Sequence, residues 1–298
     1  MVKILLDTDI CGDCDDVAAI SLLNYFQNVG LAQTLAITDC VGAPYGVACI
    51  DAICRYYGNE IEIGSYKGNC HANEKSLYTK ALSEQFENSG YTPQSVTEAY
   101  KLMRKKLAEN SNVTLVTIGF LTNLALLIDS PPDEISPLTG LELIERSVDE
   151  IVVMGGIIGG KSYNFEGAVF DKECNIVGDV EASKNVFSKL KTKITMVEFE
   201  LGYNVLSFGG IVEAERESPI KTAFLNFHVQ KRESWDPIAV MYAVLGTVGL
   251  YVFSEWGTLC ITDEGKTEFK ENIAGNVRYL IEKVPKEKIV ETLNAFPL

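Results

Sequence analysis

Basic charge is scarce in this sequence: 26 Lys and Arg stand against 41 Asp and Glu, giving a net charge of −15. No stretch concentrates Lys and Arg, so the electrostatic footprint of a nucleic-acid or anionic-membrane binder is missing, and neither partner is expected. Long apolar runs are missing as well, since none reaches the roughly 18 residues of a membrane span. The opening apolar stretch, Val2 to Leu6, stops at Asp7 and is too short for a secretory segment, so the expected compartment is the cytoplasm. Histidine is limited to His71 and His228. The eight cysteines, several of them inside apolar runs, read as reduced buried thiols rather than a disulfide framework. There is no internal repeat, low-complexity segment or convincing linker, and a single domain over residues 1–298 is expected.

What is present is a core-forming composition, 47% hydrophobic, arranged as alternating strands and helices. Strands are expected at Val2 to Leu6, Leu35 to Thr38, Ile61 to Ile63, Val113 to Ile118, Ile151 to Met154 and Ile194 to Val197. Helices are expected at Val17 to Phe26, Val47 to Tyr57, Val96 to Asn110, Leu124 to Ile128, Val180 to Leu190 and Pro237 to Leu245. The polar stretch from Gly64 to Ser95, which carries His71, reads as a loop-rich excursion or lid. This alternation predicts an α/β fold: a mainly parallel sheet with helices on both faces. Ligands of such sheets sit at the carboxyl ends of the strands. Four expected strands end there in polar or glycine residues, at Asp7–Asp16, Asp39–Ala43, Gly119–Asn123 and from Gly155 onward, and these loops should share one rim.

The first of these loops holds Asp7, Asp9, Asp13, Asp15 and Asp16 within ten residues, between two strongly apolar segments. Like charges at that density repel one another unless a cation neutralises them. Carboxylate oxygens are hard ligands suited to Ca²⁺ or Mg²⁺. Plainer readings exist: a solvated acidic turn, with Asp15 and Asp16 simply favourable at a helix N-terminus. A strand followed by Asp-x-Asp also opens the haloacid-dehalogenase-like Mg²⁺ phosphatases, but Cys11 stands where Thr or Val is usual and no later Ser/Thr, Lys and paired-acid set follows. Cys11-Gly12-Asp13-Cys14 is formally a C-x-x-C redox motif, yet the surrounding aspartates would raise its thiol pKa values. A zinc site lacks a second Cys/His pair.

The aspartate run resembles the signature of the nucleoside hydrolases of the inosine/uridine-preferring type, in a divergent form with two extra residues and without the usual Pro. The resemblance implies that Asp9 is the catalytic base and a Ca²⁺ ligand, Asp16 a second ligand, Asp15 a ribose-binding carboxylate and Asp7 a supporting acid; Asp13 has no clear counterpart. Thr117 to Ala125 resembles the Gly-x-Leu-Thr-Asn-x-Ala segment, whose Thr carbonyl, here that of Thr122, binds the metal. Read alone, Thr122 or Asn123 would be a helix N-cap. Met154-Gly155-Gly156, Glu173-Cys174-Asn175 and Asp179-Val180-Glu181-Ala182 match in order, which gives Glu173 and Asn175 to the ribose hydroxyls, with Asn164 as a further ribose contact. Ser234-Trp235-Asp236-Pro237 resembles the His-Asp-Pro segment, with Asp236 as the remote metal ligand; read alone, Asp-Pro here is an N-cap with Pro at the first helical position.

Two departures bear on the chemistry. Trp235 replaces the His that commonly protonates the leaving base, and is expected beside that base. Gly42-Ala43 stands where a Gly-Asn pair is usual. The activity the resemblance implies is Ca²⁺-dependent hydrolysis of the N-glycosidic bond of a ribonucleoside or related N-riboside, by a homodimer or homotetramer. The alternatives are a non-catalytic ribose- or Ca²⁺-binding homologue and, behind it, the Mg²⁺ phosphatase. Residues 250–298 carry no usable motif.

Overall fold

The computed structural model describes residues 1–69 and 78–298; Cys70 and His71 lie outside the described residues. The chain opens with β1 (Val2–Thr8), α1 (Asp15–Asn28), β2 (Ala32–Asp39), α2 (Gly46–Tyr56) and β3 (Ile63–Ser65). Next come α3 (Thr79–Gln85), β4 (Thr97–Glu98), α4 (Ala99–Glu109), β5 (Val113–Thr117), α5 (Thr122–Asp129), α6 (Gly140–Ser147) and β6 (Val148–Met154). A hairpin of β7 (Tyr163–Phe165) and β8 (Ala168–Phe170) precedes α7 (Cys174–Gly178), α8 (Val180–Lys189) and β9 (Ile194–Val197). Four helices follow, α9 (Phe199–Gly202), α10 (Gly209–Glu213), α11 (Pro219–Asn226) and α12 (Trp235–Leu245). The chain closes with β10 (Tyr251–Phe253), β11 (Gly257–Ile261), β12 (Thr267–Glu271), β13 (Val277–Glu282) and α13 (Lys286–Asn294).

Among the described residues one large sheet runs in the order β12-β11-β13-β9-β6-β5-β1-β2-β3-β4, with β10 also on β13. Every neighbouring pair from β13 to β4 is parallel, whereas β10, β11 and β12 join antiparallel. Strand side chains alternate faces, and β1 uses both. Ile4 and Leu6 pack with α1, α2 and α12, and Leu5 packs with α4, α5, α6 and α8 on the other side. The α/β class with helices on both faces is therefore the observed one. No helix among the described residues is long and apolar enough to cross a membrane.

Strand order reverses beside β1: β2 and β3 lie to one side, while β5, β6 and β9 lie to the other. The crevice outside the carboxyl ends opens at such a switch point. Asp7 of β1 is level there with Thr38 of β2 and Thr117 of β5.

Some elements differ from expectation at their edges. The third strand starts at Ile63, not Ile61, and the helix expected over 96–110 begins only at Ala99 because Thr97 and Glu98 pair with β3. Residues 250–298, which carried no motif, complete the sheet.

Candidate functional site

The loops after β1, β5 and β6 meet on one cavity of about 350 Å³, lined among others by Asp9, Asp15, Asp16, Ile118, Phe120, Met154 and Asp236. Two glycines permit this approach. A Cβ on Gly119 would lie 2.5 Å from the backbone nitrogen of Asp9, and one on Gly202 would lie 2.2 Å from the Trp235 ring. The loop after β2 stays behind the cavity. Its Asp39 is fully buried and accepts hydrogen bonds from the Val41 and Gly42 backbone and the Ser65 hydroxyl.

Carboxylate oxygens of Asp15, Asp16 and Asp236 lie within 4.8 Å of one another, all three buried. Asp15 and Asp16 open α1, where the helix N-terminus favours negative charge. Asp236 sits in the first turn of α12, and its backbone N–H donates to Asp15 Oδ2 at 3.1 Å. Asp236 is therefore not the N-cap; that position is Ser234, whose side chain makes no cap bond. Thr8 Oγ1 donates to Asp16 Oδ1. Burial, then the neighbouring aspartates, pushes the pKa of all three acids well above the carboxylate range. Asp9 is raised to about 8 by burial, then by Glu173 and Asp13. A divalent cation among these acids would favour their charged forms. Oxygens on opposite sides of a Ca²⁺ ion are about 5 Å apart, so the spacing and hard oxygen chemistry fit a divalent cation. The close trio includes Asp15, expected at the ribose, whereas Asp9 lines the same cavity outside the trio.

Glu173 and Asn175 both line the cavity. The Glu173 carboxylate accepts from the backbone of Asn175 (2.7 Å), Gly156 (3.0 Å) and Ile176 (3.1 Å), which caps α7. The Asn175 amide donates to the Ile118 and Met154 carbonyls and so ties the β5 and β6 loops together. Asp7 lies beneath the site, fully buried; its Oδ1 accepts from Thr38 Oγ1 at 2.6 Å and Asn123 Nδ2 at 2.9 Å. Burial raises it to about 7, against the lowering effect of those two bonds. Neither Thr122 nor Asn123 caps α5, because the Thr122 hydroxyl donates to Asp179 and the Asn123 amide reaches Asp7 and the Asp39 carbonyl. Thr122 is not among the residues lining the cavity, and neither is Asn164, which faces outward on the β7–β8 hairpin. That hairpin instead contributes Phe165, Glu166 and Phe170.

Trp235 lines the cavity at 6% exposure, its indole N–H donating to the Phe199 carbonyl at 2.7 Å. It packs against Phe199 and Phe165, with ring centroids 5.1 and 5.4 Å away. Arg232 was not anticipated. Its guanidinium grips Asp13 through Nε (2.9 Å) and Nη2 (2.5 Å) and reaches Glu166 through Nη1 (2.7 Å). The unassigned Asp13 is thus an ion-pair partner at the cavity, and an acid left over from a metal cluster was the one sequence signal for a hidden counter-charge. The Cys14 thiol is buried and pushed far up by burial and then by Asp13 and Asp15, contrary to a redox motif. His228 is exposed beyond α11.

Residues 4–289 match the family model described as inosine-uridine preferring nucleoside hydrolase. The chain belongs to this family. It is 32% identical over 177 residues to the pyrimidine-specific ribonucleoside hydrolase RihA of Salmonella schwarzengrund, covering 56% of this chain and 49% of that protein. The match thus spans about half the length of these curated relatives. Two solved structures share the fold along nearly the whole chain. The inosine-uridine preferring nucleoside hydrolase of Bacillus anthracis superposes with a TM-score of 0.72 at 18% identity, over 98% of each chain. An inosine-guanosine nucleoside hydrolase gives 0.73 at 20% identity, over 99% of this chain and 98% of that one.

Proposed function

We propose that the chain hydrolyses the N-glycosidic bond of a ribonucleoside or related N-riboside to free base and ribose, with one Ca²⁺ held by Asp9, Asp16 and Asp236. The observation that carries this reading is the convergence of buried Asp15, Asp16 and Asp236 in one cavity with Asp9, at the switch point of the family's fold. A bound Ca²⁺ supplies a water of lowered pKa and a seat for sugar hydroxyls. Asp9 takes the proton from the attacking water as general base. Asp15, oriented by the Asp236 N–H, and Glu173 and Asn175 bind the ribose. The carboxylates face the positive charge that develops on the sugar ring in the oxocarbenium-like transition state. The same acids repel a phosphate, which favours nucleosides over nucleotides.

The reading extends to a homodimer or homotetramer in the cytoplasm. Inosine and uridine incubated with the Ca²⁺-loaded protein should release ribose, and chelation should abolish release. Tight, Ca²⁺-dependent ribose binding without any release would instead establish a binding protein, and phosphate release from a phosphomonoester would establish a phosphatase.

A further inference from the structure

The departing base raises a difficulty inside this cavity. A neutral nucleoside must usually receive a proton on its base as the C1′–N bond breaks. The Cys174 thiol at the cavity, pushed up to about 12 by burial and then by Glu173, is too weak an acid, and the stronger candidates are already committed. Glu173 accepts three backbone N–H groups, Asp13 and Glu166 are bound to Arg232, and the Trp235 indole N–H is donated to the Phe199 carbonyl. Asp9 is needed as the base at the sugar. No histidine lines the cavity among the described residues.

The wall chemistry is equally specific. Phe165, Phe170, Phe199 and Trp235 form a continuous aromatic group, with Phe170 parallel to Phe199 at 6.1 Å and Phe165 edge-on to Trp235 at 5.4 Å. The cavity is lined by seven carboxyl groups against one guanidinium, that of Arg232. It is paired with Asp13, Glu166 and Glu233 and lies 5.2 Å from the Phe165 ring centroid and 5.8 Å from that of Trp235, so these aromatic faces already receive one cation. Aromatic faces with surplus negative charge attract a cationic ring through its quadrupole and Coulomb interactions, and offer less to a neutral one.

Building on the N-riboside reading, we infer that the preferred substrate class is a cationic N-riboside, in which the glycosidic nitrogen belongs to a positively charged pyridinium-type ring. Such a leaving group needs no acid. The water oxygen bonds to C1′ while the C1′–N bond breaks, and the bonding pair returns to the ring nitrogen and cancels its charge. The water proton passes to Asp9, and the products are ribose and a neutral base. The aromatic group then favours the charged substrate over the neutral product, which promotes release.

Nicotinamide riboside, an N-ribosylpyridinium cation, tests this on the Ca²⁺-loaded protein beside its neutral dihydro form, inosine, uridine and nitrophenyl riboside. General-acid catalysis is worth about 10²–10⁴-fold, so kcat/KM for the pyridinium riboside should exceed that for inosine and uridine by roughly 10²-fold or more. Calorimetry on an Asp9→Asn variant should show the pyridinium form binding about tenfold tighter than the dihydro form. If inosine or uridine is hydrolysed as fast as the pyridinium riboside, the inference is overturned while the hydrolase reading stands. Equal binding of charged and dihydro forms overturns it too. If no riboside yields ribose, nitrophenyl riboside included, the hydrolase reading itself falls and the inference with it.

Discussion

Asp9 and Asp13 sit four positions apart in one loop, yet the structure gives them opposite surroundings. Asp9 lines the cavity with no ion pair to a side-chain cation among the described residues, whereas Asp13 is held bidentately by the buried Arg232. If Asp9 is the general base and a metal ligand, as proposed, Asp9→Asn should cut kcat by roughly 10²-fold or more. In chelator at neutral pH its melting temperature should change little, since burial already holds Asp9 protonated there and Asn is likewise uncharged. Asp13→Asn should act the other way, lowering stability by about 1–3 kcal/mol as Arg232 loses its main partner, with a smaller loss of kcat. Steady-state kinetics and urea unfolding on both variants check this, and equal kcat losses would mean that the roles in this loop are misassigned. The sequence marks this loop as the candidate site, because five acids crowded between apolar runs repel one another unless a cation neutralises them. It could not show which acid Arg232 neutralises, since the partners are 219 positions apart.

At the scale of elements, the β7–β8 hairpin stands apart from the main sheet and pairs only with itself among the described strands. It holds to the body through Phe165 and Phe170 against Phe199 and Trp235, and through the Glu166–Arg232 bond near its tip. The Glu166 side chain is 61% exposed, so the ion pair is worth at most about 1 kcal/mol. The half-buried Phe165 ring matters more, although less than the roughly 3–5 kcal/mol of a fully buried one. Glu166→Gln should raise KM only a few-fold, and Phe165→Ala by tenfold or more, with kcat less affected and protease cleavage near Gly167 accelerated. Larger losses in kcat than in KM would show that the hairpin acts on the chemistry rather than on binding. Elements of this kind were the hardest to read. The central strands β1, β2, β5, β6 and β9 are apolar on both faces and legible from the sequence. By contrast, Thr267–Glu271 at the sheet edge is mostly exposed and polar, and the two- and three-residue strands give no period to detect.

Across the whole molecule, the buried acids set how stability responds to pH and to metal. Without metal, Asp39 titrates at about 6, Asp7 at about 7 and Asp9 at about 8, and Asp15, Asp16 and Asp236 are displaced in the same direction. Burial is the leading cause in each case. The unfolded chain loses these protons near pH 4, while the folded chain keeps them. Between about pH 4 and 8 the folded state thus binds more protons than the unfolded one, and stability must fall as pH rises through that window. Metal reverses the trend, because the cation binds only the deprotonated acids, so its stabilisation grows as pH rises. At free Ca²⁺ about 100 times its Kd the gain is about 2.7 kcal/mol. Melting curves of chelated protein should shift down from pH 5 to pH 8, and those in millimolar Ca²⁺ should converge on them at pH 5 and separate upward at pH 8. A chelated protein that gains stability between pH 5 and 8 would mean that these acids are already charged in the fold, compensated by something other than a divalent ion. Identical curves with and without Ca²⁺ at pH 8 would remove the metal from the site altogether.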